Sequence, residues 1–432
     1  MVPETFPADR PLGPGVDRAS AFRALALPAM TESFLSLSTV DQLDLLRSLE
    51  AVERRVMLRL LAPDDAADLV QHAEEEERPE LLHLLDDITR THVQGLLAYA
   101  EDAAGGLMNP RFARVRPELT AEEALAYLRR QAREKTEDLY YTYVLDADQH
   151  LLGVVSIRAL FKALPGTRVR DIMTRDPLRV TESTDQEEVA GMIARHDLLA
   201  LPVVDAENRM KGVVAIDDVI DVLAEEATED IQKMGGSEAL DAPYLHTPFR
   251  EMVRKRAGWL TVLFVGEMLT ATAMGHFEGE IARAVVLALF IPLIISSGGN
   301  SGSQASTLIV RALGTGEVKL RDWWRVLRRE MASGLTLGLI LGVIGFLRIV
   351  LWPSREVAYG PHYFAVATSV AVSLLGVVLW GAVAGAMLPF LLRRVGFDPA
   401  SASAPLVATL VDVTGLVIYF SVASALMGGV VG

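Results

Sequence analysis

The sequence predicts a multidomain membrane protein with an all-α N-terminal module, an α+β repeat pair, a connecting helix and a five-helix transmembrane domain. Three features of the 432 residues support this fold class: long apolar stretches in the C-terminal part, an internal repeat in the middle, and an acidic N-terminal part. Residues 1–256 carry a net charge of −17 and residues 257–432 a net charge of +2, which together give the −15 of the whole chain. A chain of this length and asymmetry is expected to contain at least two domains. It has no cysteine, which excludes disulfides, thiolate catalysis and cysteine metal sites.

The N-terminal module is predicted from leucines at helical spacing. Leu43, Leu46 and Leu49, for example, repeat at steps of three in a polar background, which indicates short amphipathic helices. We assign residues 1–109 to this acidic, all-α module. Residues 1–18 lack the apolar core of a secretory signal peptide, so we expect the module to be cytoplasmic.

An internal repeat occupies residues 110–230. Val144-Leu-Asp-Ala and Gly153-Val-Val-Ser-Ile recur as Val203-Val-Asp-Ala and Gly212-Val-Val-Ala-Ile, both at an offset of 59 residues. A period of this length indicates paired supersecondary units. Each copy is predicted to contain a strand, a turn, a second strand and a helix, with a glutamate-rich helix before them.

The repeat resembles a tandem CBS-domain pair, whose usual role is to sense nucleotides or metals. The adenosine-binding pattern of such pairs is incomplete in this sequence. The first copy has Ser156 but Arg158, and the second has Asp217 but Ala215. ATP is therefore a weak candidate ligand.

The densest acidic stretch lies at the end of the repeat. Residues 217–230 contain seven acidic side chains and no basic one. Asp218, Asp221, Glu225 and Glu229 step by three or four and form one stripe of a predicted helix, along which like charges repel. The stripe is either a solvated face or a cluster that divalent cations neutralise. Gly235-Gly236 then breaks the chain, and we assign residues 231–256 to a connecting helix that leads into the membrane.

Five stretches are long and apolar enough to cross a hydrocarbon core of about 30 Å, which needs about 20 helical residues. They are residues 257–276, 281–312, 331–353, 362–392 and 401–428, within an assigned transmembrane domain of 257–432. The second and fourth are longer than needed, which predicts a tilt or a break. Basic residues cluster on alternate connections, so the positive-inside rule places the N-terminus in the cytoplasm and the C-terminus outside. The expected location is the cytoplasmic (inner) membrane.

Two polar features interrupt these spans. The second span contains Pro292 and the run Gly298-Gly-Asn-Ser-Gly-Ser-Gln304, which predicts a loosened helix that faces protein or water, or a packing face of small residues. The fifth contains Asp412, about 16 Å into the span and so near mid-membrane. An ionisable group at that depth usually marks an ion path or a proton relay. Glu267 and Arg348 are interpreted as structural, because each could snorkel or pair at an interface.

The combined pattern resembles the MgtE family of magnesium channels and transporters over nearly the whole chain. The motifs that carry the resemblance are Ala104-Gly-Gly-Leu-Met108, Glu226-Ala-Thr-Glu-Asp230, Pro292 with Gly298–Gln304, Asp398-Pro-Ala, and Pro405-Leu-Val-Ala-Thr-Leu-Val-Asp-Val-Thr-Gly-Leu-Val-Ile-Tyr419. The resemblance implies a homodimer in the lipid bilayer that mediates Mg²⁺ influx. It also implies that cytosolic Mg²⁺, held between the N-terminal and CBS modules, closes the pore through the connecting helix. It implies no nucleic acid partner.

The resemblance further assigns residues to sites. The implied pore-lining residues of the second and fifth spans are Pro292, Gly298, Gly299, Asn300, Ser303, Ala404, Ala408 and Asp412, of which Asp412 binds hydrated Mg²⁺. The implied regulatory metal ligands are Asp65, Asp68, Asp185, Asp197, Asp217, Asp218, Asp221, Glu225, Glu226, Glu229 and Asp230. Ala404 and Ser303 stand where family members can carry asparagine, which predicts a less polar ring of water ligands. One carboxylate per subunit suits Mg²⁺, because this ion keeps several of its waters.

Two other functions stay open at this point. One is a coupled divalent-cation exchanger in which the interrupted span and Asp412 alternate access. The other is a membrane-anchored sensor of Mg²⁺ or nucleotide that does not conduct, although Asp412 in mid-span argues against it. We do not expect an enzyme, because the eight histidines form no HxxxH pair and no glycine-rich phosphate loop with a lysine is present.

Overall fold

The computed structural model describes residues 22–132, 138–240, 244–245, 247–279 and 285–427. The chain divides into two compact units, Met1–Glu225 and Glu226–Gly432. Residues 1–18, on which the signal-peptide prediction rests, and the C-terminal Gly432 lie outside the described residues.

Short helices form the N-terminal module, as the leucine spacing predicts. They are α1 (Leu27–Leu35), α2 (Thr39–Ser48), α3 (Ala51–Leu58), α4 (Pro63–His72), α5 (Arg78–Leu84) and α6 (Asp87–Leu96). The side chains of Ser38 and Asp86 accept the backbone N–H three residues further on and so cap α2 and α6. Leu45, Leu58 and Leu69 are fully buried in the shared core. The all-α prediction is confirmed.

The Ala104-Gly-Gly-Leu-Met108 motif joins this module to the second copy of the repeat. Its first residues form α7 (Ala104–Leu107), and the backbone N–H groups of Ala104 and Gly105 donate to the carbonyls of Thr184 and Glu182 at 2.7 and 2.9 Å. A Cβ on Gly105 would lie 2.9 Å from the Glu182 carbonyl oxygen, so only glycine permits this approach. The sequence assigns residues 1–109 to the N-terminal module, but the backbone hydrogen bonds of Ala104, Gly105 and Asn109 tie the end of this segment to the repeat.

The repeat folds as two similar sheets. The first copy contains β1 (Phe112–Val115), α8 (Ala121–Gln131), β2 (Asp138–Leu145), β3 (Leu151–Ser156), α9 (Ile157–Lys162), α10 (Val169–Ile172) and β4 (Thr174–Arg175). The second contains β5 (Val180–Thr181), α11 (Gln186–His196), β6 (Ala200–Val204) and β7 (Met210–Ala215). The sheet orders are β1-β2-β3-β4 and β5-β6-β7, each starting with a parallel pair followed by an antiparallel one. Val144 pairs with Gly153 and Val203 with Gly212, so the sequence offset of 59 is also the structural offset.

The connection to the membrane domain differs from the predicted single helix over 231–256. Helix α12 (Ile216–Met234) continues directly from the second repeat and ends at Gly235-Gly236, where Gly236 has a φ of +76°. The next helix, α13, begins at Phe249 after Pro248. A left-handed glycine and a proline without an N–H donor set these two boundaries. Residues 241–243 and 246 of the predicted helix lie outside the described residues.

Five helical spans of the described residues are long and apolar enough to cross a membrane, as predicted. The helices are α13 (Phe249–His276), α14 (Val285–Ala288), α15 (Ile291–Gly314), α16 (Trp323–Val350), the short α17 (Arg355–Tyr359), α18 (Tyr363–Arg394) and α19 (Ala404–Met427). Helices α14 and α15 together make the second span, Val285–Gly314. The fourth span, α18, is a single helix of 32 residues despite Pro389 in its interior.

The predicted loosening of the second span at its glycines is wrong. Helix α15 is continuous through Gly298, Gly299 and Gly302, and the interruption lies before it, because Pro292 occupies its first turn, where no N–H is required. The glycines instead allow close helix packing. A Cβ on Gly302 would lie 2.9 Å from the carbonyl oxygen of Gly381 in α18. The packing-face interpretation therefore explains this part of the motif.

Candidate functional site

Asp412 lies on a half-buried face of α19, one turn beyond the point where Ala408 faces Gly299 of α15. Ala404, Ala408 and Asp412 follow at four-residue steps and are all partly exposed in the single chain. Ser303 Oγ donates to the Ala404 carbonyl at 3.2 Å, and a Cβ on Gly299 would lie 3.6 Å from Ala408. The structure thus brings four of the predicted pore residues together on adjoining faces next to Asp412.

The other predicted pore residues of α15 take different positions. Gly298 is buried, and a Cβ there would lie 2.8 Å from a methyl group of Val411, so its contact is one of helix packing. Asn300 is exposed in the single chain. Pro292 lies six residues before Gly298, about 9 Å along the helix, and is therefore not level with the contact to Ala404. A pore-lining role for these three residues stays a prediction.

Serines of the same motif hold the helices together. Ser301 Oγ donates to the Val378 carbonyl of α18 at 3.2 Å, and Ser306 Oγ donates to the Ala402 carbonyl at 2.6 Å. Both serines are buried. Hydrogen bonds between helices satisfy these hydroxyl groups away from lipid. These two bonds hold α15 against α18 and against the segment that precedes α19.

A second carboxyl group stands beside Asp412. Glu267 of α13 lies within hydrogen-bonding reach of the Asp412 carboxyl. The pairing of the two helices produces this arrangement, because Trp259 Nε1 donates to Ser403 Oγ at 3.3 Å and Gly266 faces Thr409. Glu267 is eight residues beyond Trp259, and Asp412 is nine beyond Ser403, so the two carboxyls reach the same level. The sequence interpretation of Glu267 as merely structural missed this neighbour, because only the register of α13 against α19 reveals it.

The acidic stripe lies along α12, and Asp218 and Glu229 have local partners. The Ala215 N–H donates to Asp218 Oδ2 at 3.2 Å, which places Asp218 at the start of the helix. Glu229 forms an ion pair with Lys233, one turn further on. Lys233, which lies just outside the base-free stretch, therefore neutralises the stripe locally at its C-terminal end.

Lys233 also ties the end of α12 to the membrane domain. Its Nζ donates to Asp398 Oδ2 at 2.7 Å, and Asp398 caps the turn Pro399–Ser401 before α19. Burial lowers the pKa of Lys233, but its hydrogen bonds to Asp398 and Glu229 outweigh burial and raise it above the usual value. Burial, together with Asp398 and Glu226, raises the pKa of Asp230. This lysine bridge, formed by Lys233, Glu229 and Asp398, spans 165 residues of sequence and was not predicted.

Asp185 and Asp197 stand at opposite ends of α11. Asp185 is the N-cap and accepts the Glu187 N–H at 2.9 Å. Asp197 is the C-cap, with a left-handed φ of +50°. Asp197 follows Asp185 by 12 positions, which corresponds to about 18 Å of helix, so the structure does not bring these two predicted ligands together.

Asp68 of the N-terminal module is an acid with a strongly raised pKa outside the membrane spans. Burial raises its pKa to about 7, and Asp65, Glu101 and Glu225 add to the increase, while His72 opposes it. Glu225 belongs to the stripe on α12, so the structure places acids from both predicted sensing segments within electrostatic reach. Glu101, which lies 3.9 Å from His72, was not among the predicted ligands.

The pKa of Asp68 predicts a pH-dependent effect on stability. The folded-state value of about 7 exceeds the ordinary 3.8, so the folded state favours the protonated acid and loses this contribution as the pH rises through 7. Asp68→Asn should therefore raise the unfolding midpoint by several degrees at pH 8 in chelator, and the gain should shrink at pH 5. Thermal unfolding of the full chain in detergent measures this. An equal midpoint for both proteins at pH 8 would contradict it.

No group of three or more His, Asp or Glu side chains within the described ranges is arranged to hold a metal ion in the single chain. The stripe acids all lie on the single helix α12, whereas Asp68 lies on α4.

Comparisons with known proteins agree with these features. The model of the divalent cation transporter family MgtE matches residues 291–422, the model of the MgtE intracellular N domain matches residues 14–102, and the CBS domain model matches residues 104–166 and 169–225. The magnesium transporter MgtE of Thermus thermophilus is 45% identical over 370 residues, which cover 85% of this chain and 80% of that protein. The chain belongs to the MgtE family of magnesium transporters.

Other relatives extend the match. The magnesium transporter MgtE of Bacillus subtilis is 30% identical over 412 residues, covering 95% of this chain and 89% of that protein. Among solved structures, the cytosolic domain of the Mg²⁺ channel MgtE in complex with ATP is 41% identical, covers 48% of this chain and 84% of that chain, and has a TM-score of 0.45. In this chain, Ser156 of the incomplete adenosine pattern caps α9 by accepting the Ala159 N–H at 3.1 Å.

Proposed function

We propose that this MgtE-family transporter is a homodimeric, Mg²⁺-selective channel for influx, and that Asp412 holds the hydrated ion. The observation that carries the proposal is the position of Asp412, with Glu267 beside it, on the half-buried face of α19 that continues from Ala404 and Ala408. A carboxylate at this depth attracts a divalent cation, and an ion that keeps its waters is not trapped by it. The membrane potential supplies about 2.3 kcal/mol per charge per 100 mV for inward movement.

Mg²⁺ uptake into liposomes tests this function. Purified protein should carry Mg²⁺ into vesicles along an imposed potential, and the rate should rise with the potential. Protein-free vesicles are the control. Uptake that requires an opposing gradient of a second cation would favour the coupled exchanger, and no uptake under any gradient would favour the non-conducting sensor.

We propose that cytosolic Mg²⁺ closes this channel through α12. Repulsion along the stripe and between Glu225 and Asp68 keeps the acidic segments apart when Mg²⁺ is low, and shared ions neutralise them when Mg²⁺ rises. The lysine bridge connects the end of α12 to the turn before α19, so movement of α12 acts on the helix that carries Asp412. A ligand shifts such an equilibrium only by its differential affinity for the closed state. Several weak ions therefore fit better than one tight ion.

We propose that the N-terminal part faces the cytoplasm and the C-terminus faces the outside of the inner membrane. Basic residues 254–256, 319–329 and 393–394 lie on alternate connections between the five spans. A protease added to intact cells should therefore remove a tag placed after Gly432. The same tag placed before Met1 is the control and should be protected. Protection of both tags would contradict the orientation.

A further inference from the structure

A basic cavity lies where the second span turns into the third. It has a volume of about 450 Å³ and is lined by Arg321, Asp322, Trp324, Arg325 and Arg328. Arg321, Arg325 and Arg328 follow at steps of four and three, so their side chains share one face of the short turn Leu320–Asp322 and of the first two turns of α16. Three arginines and a single aspartate therefore line the cavity.

The carboxylate in the cavity is already engaged. Asp322 Oδ2 accepts the Lys319 N–H at 3.1 Å, and Asp322 Oδ1 lies 3.8 Å from Arg325 Nη1. The Arg325 side chain is 88% exposed, and an ion pair of this length at the surface is weak. Within the described ranges, Arg321 and Arg328 form no ion pair with an acidic side chain. The cavity thus keeps an excess of positive charge that no acidic side chain of the described ranges pairs with.

The cavity stands at one end of the membrane span. Trp323 and Trp324 are 49% and 54% exposed and pack edge to face at 5.5 Å, and exposed tryptophans of this kind are typical of the membrane–water interface. The buried Val326 packs in a cluster with Leu313 and Phe390, so this end of α16 is anchored against α15 and α18. The tryptophan pair and the packing of Val326 therefore indicate that the cavity lies at an anchored end of α16, near headgroup depth.

We propose that this cavity binds the phosphate headgroup of an anionic phospholipid. Arginine donates paired N–H groups that match phosphate oxygens, and basic pockets between spans are suited to anionic headgroups. The indole of Trp324 lines the same cavity and lies beside the glycerol and upper acyl region of the lipid. The exposed tryptophan pair favours a lipid over a free phosphate ion, which gains nothing from an apolar neighbour. This site depends on insertion of the chain in a bilayer and not on Mg²⁺ conduction.

Thermal unfolding of the full chain in detergent tests the site. Added dioleoylphosphatidylglycerol should raise the unfolding midpoint by several degrees, whereas dioleoylphosphatidylcholine should not. The triple variant Arg321→Gln, Arg325→Gln and Arg328→Gln should need at least tenfold more phosphatidylglycerol for the same increase. A matched variant, Arg250→Gln, Arg254→Gln and Arg256→Gln, removes the same charge from the start of α13 and should keep the response.

Three results would overturn the proposal. Equal loss in both triple variants would mean that general positive charge and not the cavity binds the lipid. An equal rise with glycerol 3-phosphate alone would assign the cavity to a free phosphate. An unchanged response in the cavity variant would place the lipid elsewhere. If the triple variant does not fold, native mass spectrometry of the single variant Arg328→Gln tests the same proposal. The amount of phosphatidylglycerol retained by this variant should fall several-fold.

Discussion

Asp412→Ala should reduce Mg²⁺ uptake into liposomes to the level of protein-free vesicles, at least tenfold below the unmodified protein. The carboxylate is the charged group that the structure places on the partly exposed face of α19, so its removal leaves the hydrated ion without its main attraction. A tenfold loss corresponds to about 1.4 kcal/mol, which is modest for a charged ligand in a region of low dielectric constant. Asp412→Asn keeps the shape of the side chain and should be nearly as impaired.

Two further variants make this prediction specific. Glu356→Ala removes a carboxylate from the exposed helix α17 and should leave uptake unchanged. Glu267→Gln should give a partial loss, because the neighbouring carboxyl remains. All variants should elute as the unmodified protein does in size-exclusion chromatography. Uptake by Asp412→Ala at the unmodified rate would remove Asp412 from the ion path.

Neutralising the stripe should weaken inhibition by internal Mg²⁺ while conduction stays intact. With Asp218→Asn, Asp221→Asn, Glu225→Gln and Glu229→Gln combined, we expect closure to need at least tenfold more Mg²⁺. Each carboxylate pair at helical spacing repels by a few tenths of a kcal/mol, and the electrostatic repulsion between Glu225 and the half-buried Asp68 adds to this. When these charges are removed, bound Mg²⁺ no longer relieves any repulsion and therefore favours the closed state less. Closure should also become less cooperative.

The control for the stripe removes four acids that lie elsewhere on the cytosolic unit. Glu74→Gln, Glu75→Gln, Glu76→Gln and Glu118→Gln change exposed side chains and should leave the inhibitory Mg²⁺ concentration unchanged. Glu229→Gln alone separates the lysine bridge from the stripe, because it breaks one partner of Lys233 and leaves the other three stripe acids. If the fourfold stripe variant closes at the unmodified Mg²⁺ concentration, the stripe is only a solvated face.

The parts of the fold that depend on local periodicity could be predicted from the sequence. The length of the apolar stretches predicted the five spans, and the spacing of leucines predicted the helices of the N-terminal module. The offset of 59 residues gave the paired sheets, because Val144 with Gly153 and Val203 with Gly212 occupy equivalent ladder positions. Each of these signals lies within a short window of the chain.

Features that depend on the register between distant segments could not be predicted. The lysine bridge joins residues 165 positions apart, and the approach of Glu267 to Asp412 follows from how α13 packs on α19. The glycines of the second span were expected to loosen a helix, but the close contact with Gly381 of α18 explains them. The same glycines are compatible with a loosened helix and with a close packing face. Only the position of the neighbouring helix α18 distinguishes the two interpretations.

The most direct test of the proposed function is to record currents from the purified protein in a planar bilayer while Mg²⁺ on the cytosolic side is varied. The proposed mechanism predicts Mg²⁺ currents that grow with the membrane potential, disappear in Asp412→Ala and close cooperatively as cytosolic Mg²⁺ rises. Mg²⁺ currents of unmodified size in Asp412→Ala, or no Mg²⁺ current from the unmodified protein at any cytosolic Mg²⁺ concentration, would contradict it.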